Sequence, residues 1–239
     1  MKTDWTSVSR NPVSKEVFDF ILLEMKKRKA ENVGDFMMFI KSFVEGHDVL
    51  DIGIVEHDIS HIGSDRWKHK SIRSWAKSIL GVDILEAEVN LLKERGFNVS
   101  QVDATSDIDL GSRFDRIVVG DVLEHVENPV NLLRFAGRHL SDDGQILLST
   151  PNPYYYPFIV RTIKEGTLIA NAEHMSWISP SMALELGRRS NLNLRSYHLA
   201  HGIPKSWLKR ILKNILSLII GKDSELFAGA YIYIFEKQK

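Results

Sequence analysis

The sequence predicts an α/β protein built on a doubly wound, seven-stranded, mostly parallel sheet, with helices ahead of it and an antiparallel last strand. Three observations carry this. From Asp48 onward, short β-rich runs alternate with stretches of helical periodicity. Each run is nearly continuously apolar, as in a strand covered on both faces. Right-handed crossovers then bring the strands' carboxyl ends to one edge, where doubly wound sheets bind ligands.

The elements follow in order. Residues 13–44 carry Val17, Phe18, Ile21, Leu22 and Met25, then Phe36, Met37, Phe39, Ile40 and Phe43, at helical spacing with a break at Gly34. That is two helices. Strands are expected at 49–53, 79–83, 97–99, 114–119 and 145–149, and helices at 67–78, 86–95 and 127–140. Beyond Pro151 a Pro/Tyr-rich loop (151–157) leads to a helix started by Ser179 as cap and Pro180 in its first turn. A strand at 194–199, a helix at 205–220 and the antiparallel strand at 230–235 complete the sheet.

Length and composition fit one domain, 1–239: a helical extension (1–45), a ligand-binding core (46–152) and an acceptor-side part (153–239). Lys plus Arg and Asp plus Glu number 31 each, so no net charge pulls the chain toward nucleic acid, and none is expected as partner. The absence of cysteine excludes disulfides, thiolate metal sites and a cysteine nucleophile. The first residues lack the apolar core of an export signal, and no run has the length of a membrane span, so a cytoplasmic location is expected. Lys205 to Lys213 open a basic amphipathic helix. Its face could lie against an anionic membrane as a peripheral contact; a sheet-covering helix is the preferred reading.

Chemistry is expected at the strand tips. Asp51-Ile52-Gly53 closes the first strand, and glycine there permits a sharp turn and a close ligand approach. Asp83 ends the second strand, where a carboxylate can accept both hydroxyls of a ribose or can form a turn or helix cap. Asp103 follows the third, facing either an adenine amino group or its own turn. The fourth runs Phe114 to Val119 into Gly120-Asp121-Val122-Leu123-Glu124-His125. Asp121, Glu124 and His125 stand at i, i+3 and i+4, which on a helical turn is one face.

Taken in order, Val49–Gly53, Gly81-Val82-Asp83-Ile84, Val102-Asp103-Ala104, Glu124-His125 and Leu140–Asn152 resemble the class I S-adenosylmethionine-dependent methyltransferases. The branch is the one that includes the ubiquinone-biosynthesis O-methyltransferases. The resemblance covers residues 45–155 and implies a Rossmann-like fold, S-adenosylmethionine as cofactor and methyl transfer as activity. It implies that Asp51, Gly53 and Ile54 border the methionine part of the cofactor. Asp83 would hold the ribose, Ile84 would pack on adenine, Asp103 and Ala104 would border its edge, and Gly120 and Asp121 would lie beside the sulfonium. It further implies catalytic roles for Glu124, His125 and the later His174. A divalent metal on Asp121, Glu124 and His125, with His174 as the later ligand, is the alternative to a metal-free site, which is preferred here.

One departure stands out. The family's glycine-rich turn, G-x-G-x-G, is reduced to Gly53, with Val55 and His57 in the next two glycine places, and residues 56–67 look inserted. The loop must take another path, with His57 or Asp58 as candidates to reach the cofactor. His57, His61 and His69 flank Trp67; a solvated loop and helix start is preferred over an acceptor surface. Tyr154, Tyr155 and Tyr156 either line the acceptor pocket or pack the loop. The expected function is O-methyl transfer to a small-molecule, lipid-linked or glycan acceptor, with a catalytically inactive, methyltransferase-like binding or regulatory protein as alternative.

Overall fold

The computed structural model describes residues 4–55, 62, 64, 66–201, 221 and 224–238. Two helices lead, α1 (Lys15–Arg28) and α2 (Phe36–Val44), each started by a side-chain cap. Ser14 Oγ accepts the Val17 N–H at 3.4 Å, and the Asp35 carboxylate accepts that of Met38 at 3.1 Å. The alternating part follows: β1 (Asp48–Ile52), α3 (Lys68–Trp75), β2 (Ser78–Asp83), α4 (Glu86–Glu94), β3 (Val99–Gln101), β4 (Phe114–Gly120), α5 (Pro129–His139) and β5 (Leu140–Pro151). Then come α6 (Tyr156–Glu165), α7 (Pro180–Arg189), β6 (Leu192–Ala200) and β7 (Ala230–Lys237). The seven strands form one sheet in the order β3-β2-β1-β4-β5-β7-β6. Only the pairings of β7, with β5 and β6, are antiparallel.

Strand alternation sorts the core into two layers. Leu50, Ile52, Ile117, Val119, Ile146 and Leu148 point one way, onto α5 and α7. Val49, Val118, Leu147, Ile232 and Ile234 point the other, onto α2 and Ile72 of α3. The segment after α1 is tied to the far edge: the Ala30 and Val33 N–H groups donate to the Tyr197 and Leu199 carbonyls of β6, each at 2.9 Å. Among the described residues no helix is long and apolar enough to cross a membrane.

The structure departs from the sequence reading in particular places. α6 was not expected: none of its residues is buried, so its apolar positions do not mark a core face. β3 starts at Val99 rather than Phe97, because the Phe97 N–H bonds back to the Leu92 carbonyl past Gly96, whose φ of +78° lets the chain turn off α4. Ser179 does precede α7, but its hydroxyl meets Ser181 Oγ at 3.2 Å and caps no backbone N–H. The helix expected at 205–220 lies outside the described residues.

His139 closes α5 fully buried. Its Nδ1–H donates to the Phe135 carbonyl at 2.8 Å and its Nε2 accepts the Leu110 N–H at 2.9 Å, which fixes the neutral ring in one tautomer. Burial pushes its pKa down, opposed by the Phe135 carbonyl and by Asp109. The folded state thus resists protonation more than the unfolded chain does. The contribution to stability is whole above the unfolded pKa of about 6.5 and is lost as pH falls through the folded value. His139→Phe, which strands the Leu110 N–H, is expected to cost about 2 kcal/mol at pH 7. It should also flatten the fall in stability between pH 7 and 5, as read by denaturant titration at both pH values.

Candidate active site

The tips of β1, β2 and β3 surround an open cleft of about 110 Å³, bordered by Gly53, Asp83, Ile84, Asp103, Ala104 and Val122. Gly53 has φ +79°, and a Cβ there would stand 2.2 Å from Val122 Cγ2, so only glycine leaves this wall open. Asp83 is 7% exposed. It accepts the Val55 N–H at 2.8 Å and the Leu85 N–H at 3.1 Å on different oxygens, leaving each oxygen a further lone pair. Burial pushes its carboxyl up, against the backbone N–H groups that hold it down. Asp103 closes a turn of its own, accepting both the N–H and the hydroxyl of Thr105 at 2.8 and 2.7 Å. Ile84 is 59% exposed, an apolar side chain left open at the cleft.

A second, narrow cavity continues from Gly53 along the same edge, between Asp51, Ile54, Lys68, His69 and Gly120. Asp51, on the α2/α3 face of β1, is bonded to His69 Nδ1 at 2.7 Å, both buried. Trp67, fully buried, donates from Nε1 to the Ile54 carbonyl at 2.7 Å. Gly81 makes the room: a Cβ there would lie 2.7 Å from the His69 ring and 2.8 Å from Ile54. This corrects the expected solvated loop for Trp67 and His69; both are core residues, placed by a strand glycine that could have signalled them. His57, Asp58 and His61 lie outside the described residues.

The carboxyl end of β4 splits the predicted Asp121, Glu124 and His125 group. Asp121 adopts a left-handed backbone (φ 58°), so the chain does not continue as a helical turn, and the three side chains do not share a face. One Asp121 oxygen accepts the Ser149 hydroxyl at 3.0 Å and the other meets Lys68 Nζ at 3.1 Å. Glu124 instead accepts the Thr150 hydroxyl at 3.1 Å, and consecutive β5 residues face opposite sides of the sheet.

Glu124 is 1% exposed, and its Oε1 has no hydrogen-bond partner among the described residues. Burial pushes its carboxyl up to about 7, with Asp121 adding and Thr150 opposing. Its carbonyl accepts the Met175 N–H at 2.7 Å, and this tether brings His174 against His125, ring centroids 4.8 Å apart and edge to face. Glu124, His125 and His174 each offer a ligand atom, all within 4.8 Å of one another, a donor set that could hold a divalent cation. The structure thus brings together the three residues predicted as catalytic. Tyr155 and Tyr156 pack on each other and on Phe158 and Phe227 at the start of α6, with Tyr154 half-exposed.

Residues 25–197 match the family model of a methyltransferase domain. The chain belongs to this methyltransferase family. The family is one of methyltransferases and implies S-adenosylmethionine as the cofactor. Among related sequences, a ubiquinone biosynthesis O-methyltransferase of Aeromonas salmonicida is 25% identical over 182 residues, covering 71% of this chain and 73% of that one. An (S)-coclaurine N-methyltransferase of Papaver somniferum is 24% identical over 192 residues, covering 76% of this chain. The match spans 54% of that relative's length. An S-adenosylmethionine-dependent methyltransferase structure from Archaeoglobus fulgidus superposes with a TM-score of 0.57 at 17% identity, covering 91% of this chain and 99% of that one. One from Mesorhizobium loti gives 0.51 at 15% identity, covering 84% and 95%. Both superpositions show a shared fold.

Gly53→Ala tests the wall between the two cavities. The methyl group meets Val122 and the backbone carries a positive φ. Stability is expected to drop by about 1–3 kcal/mol, and the rise in melting temperature given by S-adenosylhomocysteine should vanish in thermal unfolding of the same variant.

Proposed function

We propose that this methyltransferase methylates a hydroxyl of a small-molecule, lipid-linked or glycan acceptor. The observation that carries the reading is Glu124: a buried carboxyl with an unpartnered oxygen and a pKa near neutrality, beside two imidazoles past the tip of β4. A hydroxyl must lose its proton on methylation, and a base tuned near the working pH is the group suited to take it.

The strand tips fit the cofactor. Gly53 leaves a cradle that a Cβ would fill, and Asp83 keeps lone pairs for ribose hydroxyls. Ile84 offers an apolar surface to adenine, with Asp103 and Ala104 at its edge. Asp51, Gly53 and Ile54 lie toward the amino-acid portion, and Gly120 and Asp121 beside the sulfonium. When bound, S-adenosylmethionine supplies an electrophilic methyl carbon. This chain supplies alignment and a destination for the proton: an acceptor hydroxyl reaching the cluster releases it to Glu124 or to an imidazole of His125 or His174.

A second reading places a divalent cation on the same three side chains, where it would polarise the acceptor hydroxyl. It is favoured by the grouping of one oxygen and two nitrogen donors. The metal-free reading is primary because a carboxyl with a pKa of about 7 can take the proton at neutral pH without a Lewis acid. Turnover that survives exhaustive chelation upholds it; turnover restored only by an added divalent ion replaces it.

S-adenosylhomocysteine is expected to raise the melting temperature, and Asp83→Ala to abolish that rise. Wild-type protein that shows no shift would remove the cofactor reading. Turnover with any hydroxyl acceptor would exclude a purely binding role. Glu124→Gln should lower turnover by about 10²-fold and remove the rising limb of the pH–rate profile below about 7. The sign for stability is opposite. A carboxyl with a raised folded pKa stabilises the fold below its unfolded value, and that stability is lost as pH rises through about 7. The same substitution should therefore stabilise the protein at pH 8, on the order of 2 kcal/mol in denaturant titrations.

A further inference from the structure

We infer that the Lys68–Asp121 pair receives the zwitterionic amino-acid end of the cofactor, Lys68 taking its carboxylate and Asp121 its ammonium, in place of the glycine-rich turn that this chain lacks. The inference rests on the cofactor assignment proposed above.

Position comes first. Gly53 borders both cavities, so a ligand with its nucleoside in the cleft of Asp83 and Ile84 runs past Gly53 into the cavity of Lys68, His69 and Gly120. A glycine-rich turn would offer backbone N–H groups to an anion there. Here Val55 stands in the second glycine place, and its N–H is already given to Asp83 at 2.8 Å. An anion entering the cavity therefore needs another donor.

Lys68 is that donor. It begins α3, whose first turn has no side-chain cap, and it lines the cavity. Its neighbours fix its place in the chain: Trp67 is held by the Ile54 carbonyl and His69 by Asp51. A second, independent feature points to a ligand. His69 lines the cavity, 1% exposed, and its Nε2 has no hydrogen-bond partner among the described residues. A buried nitrogen of that kind is satisfied by a polar group brought from outside.

Asp121 completes the receptor. Its strained left-handed backbone is the sort of conformation held at functional sites, and Ser149 anchors one of its oxygens. The other meets Lys68 Nζ at 3.1 Å with both side chains partly exposed, 31% and 44%. An ion pair so open to water is weak. A zwitterion can enter by exchanging one pair for two: carboxylate on Lys68, ammonium on Asp121. No net charge is buried in the exchange.

The test compares two ligands by calorimetry: S-adenosylhomocysteine, and 5′-methylthioadenosine, which keeps the nucleoside thioether but lacks the amino-acid end. Lys68→Met is expected to weaken the first by about 20-fold and the second by less than about 2-fold. Lys68→Arg should restore the first to within about 3-fold of wild type. Asp121→Asn, which tolerates the left-handed backbone, should repeat the selective loss and carries the test if Lys68→Met fails to fold. Equal weakening of both ligands, or of neither, in a folded variant overturns the inference and leaves the cofactor assignment standing. Wild-type protein that binds neither ligand overturns both.

Discussion

The buried hydrogen bond between Asp51 and His69 is the fixed point of the carboxyl edge. It joins the middle of the sheet to the first turn of α3 and sets where the cavity behind Gly53 begins. Removing either partner would leave the other polar group shut away from water, at a cost of a few kcal/mol. The bond exists because Gly81, on the neighbouring strand, has no side chain to occupy the place of the ring. A glycine, an imidazole and a carboxylate on three separate elements form one unit. From it follow the course of the chain near Trp67 and the emergence of Lys68 beside β4.

Alternation along β5 divides the chemistry between two sides of the sheet. Ser149 faces the α2/α3 layer and supports Asp121; Thr150 faces the α5/α7 layer and supports Glu124. Two acidic residues three positions apart therefore meet different environments. Asp121 is partly exposed and faces a cation, whereas Glu124 is buried with one oxygen unsatisfied. That contrast is how one short turn can present a carboxylate paired with a cation on one side and, on the other, a buried acid whose pKa is pushed up to about 7.

The architecture was legible because strands buried on both faces carry runs of apolar residues, as β2, β4 and β5 do at Ile79-Leu80, Ile117–Val119 and Ile146–Leu148. Gly53 and Asp83 were legible because the turn after a parallel strand constrains residue type. Lys68 and His69 were not: they follow a stretch that lengthens the first loop, and histidine with lysine at a helix start looks solvated until Gly81 is set against it. The one-face grouping of Asp121, Glu124 and His125 assumed a helical turn, which the backbone of Asp121 does not allow. α6 went unseen because periodicity reports burial, and no residue of this helix is fully buried. The proximity of His125 to His174 comes from the tether between Glu124 and Met175, a long-range backbone bond with no signature in residue order.

The strand order has a consequence for how the molecule is made. β7 lies between β5 and β6 yet follows both in the chain. As synthesis proceeds, β5 keeps one side unpaired and β6 has no sheet neighbour until residues 230–237 arrive. The segment at Ala30–Val33, made well before β6, waits on it in turn. Closure is thus deferred to long-range pairings, which are entropically slow to form, while an open strand edge stands ready to pair with another nascent copy. A chaperone that shields that edge would act on β5 and leave the adenosine side, complete by then, untouched.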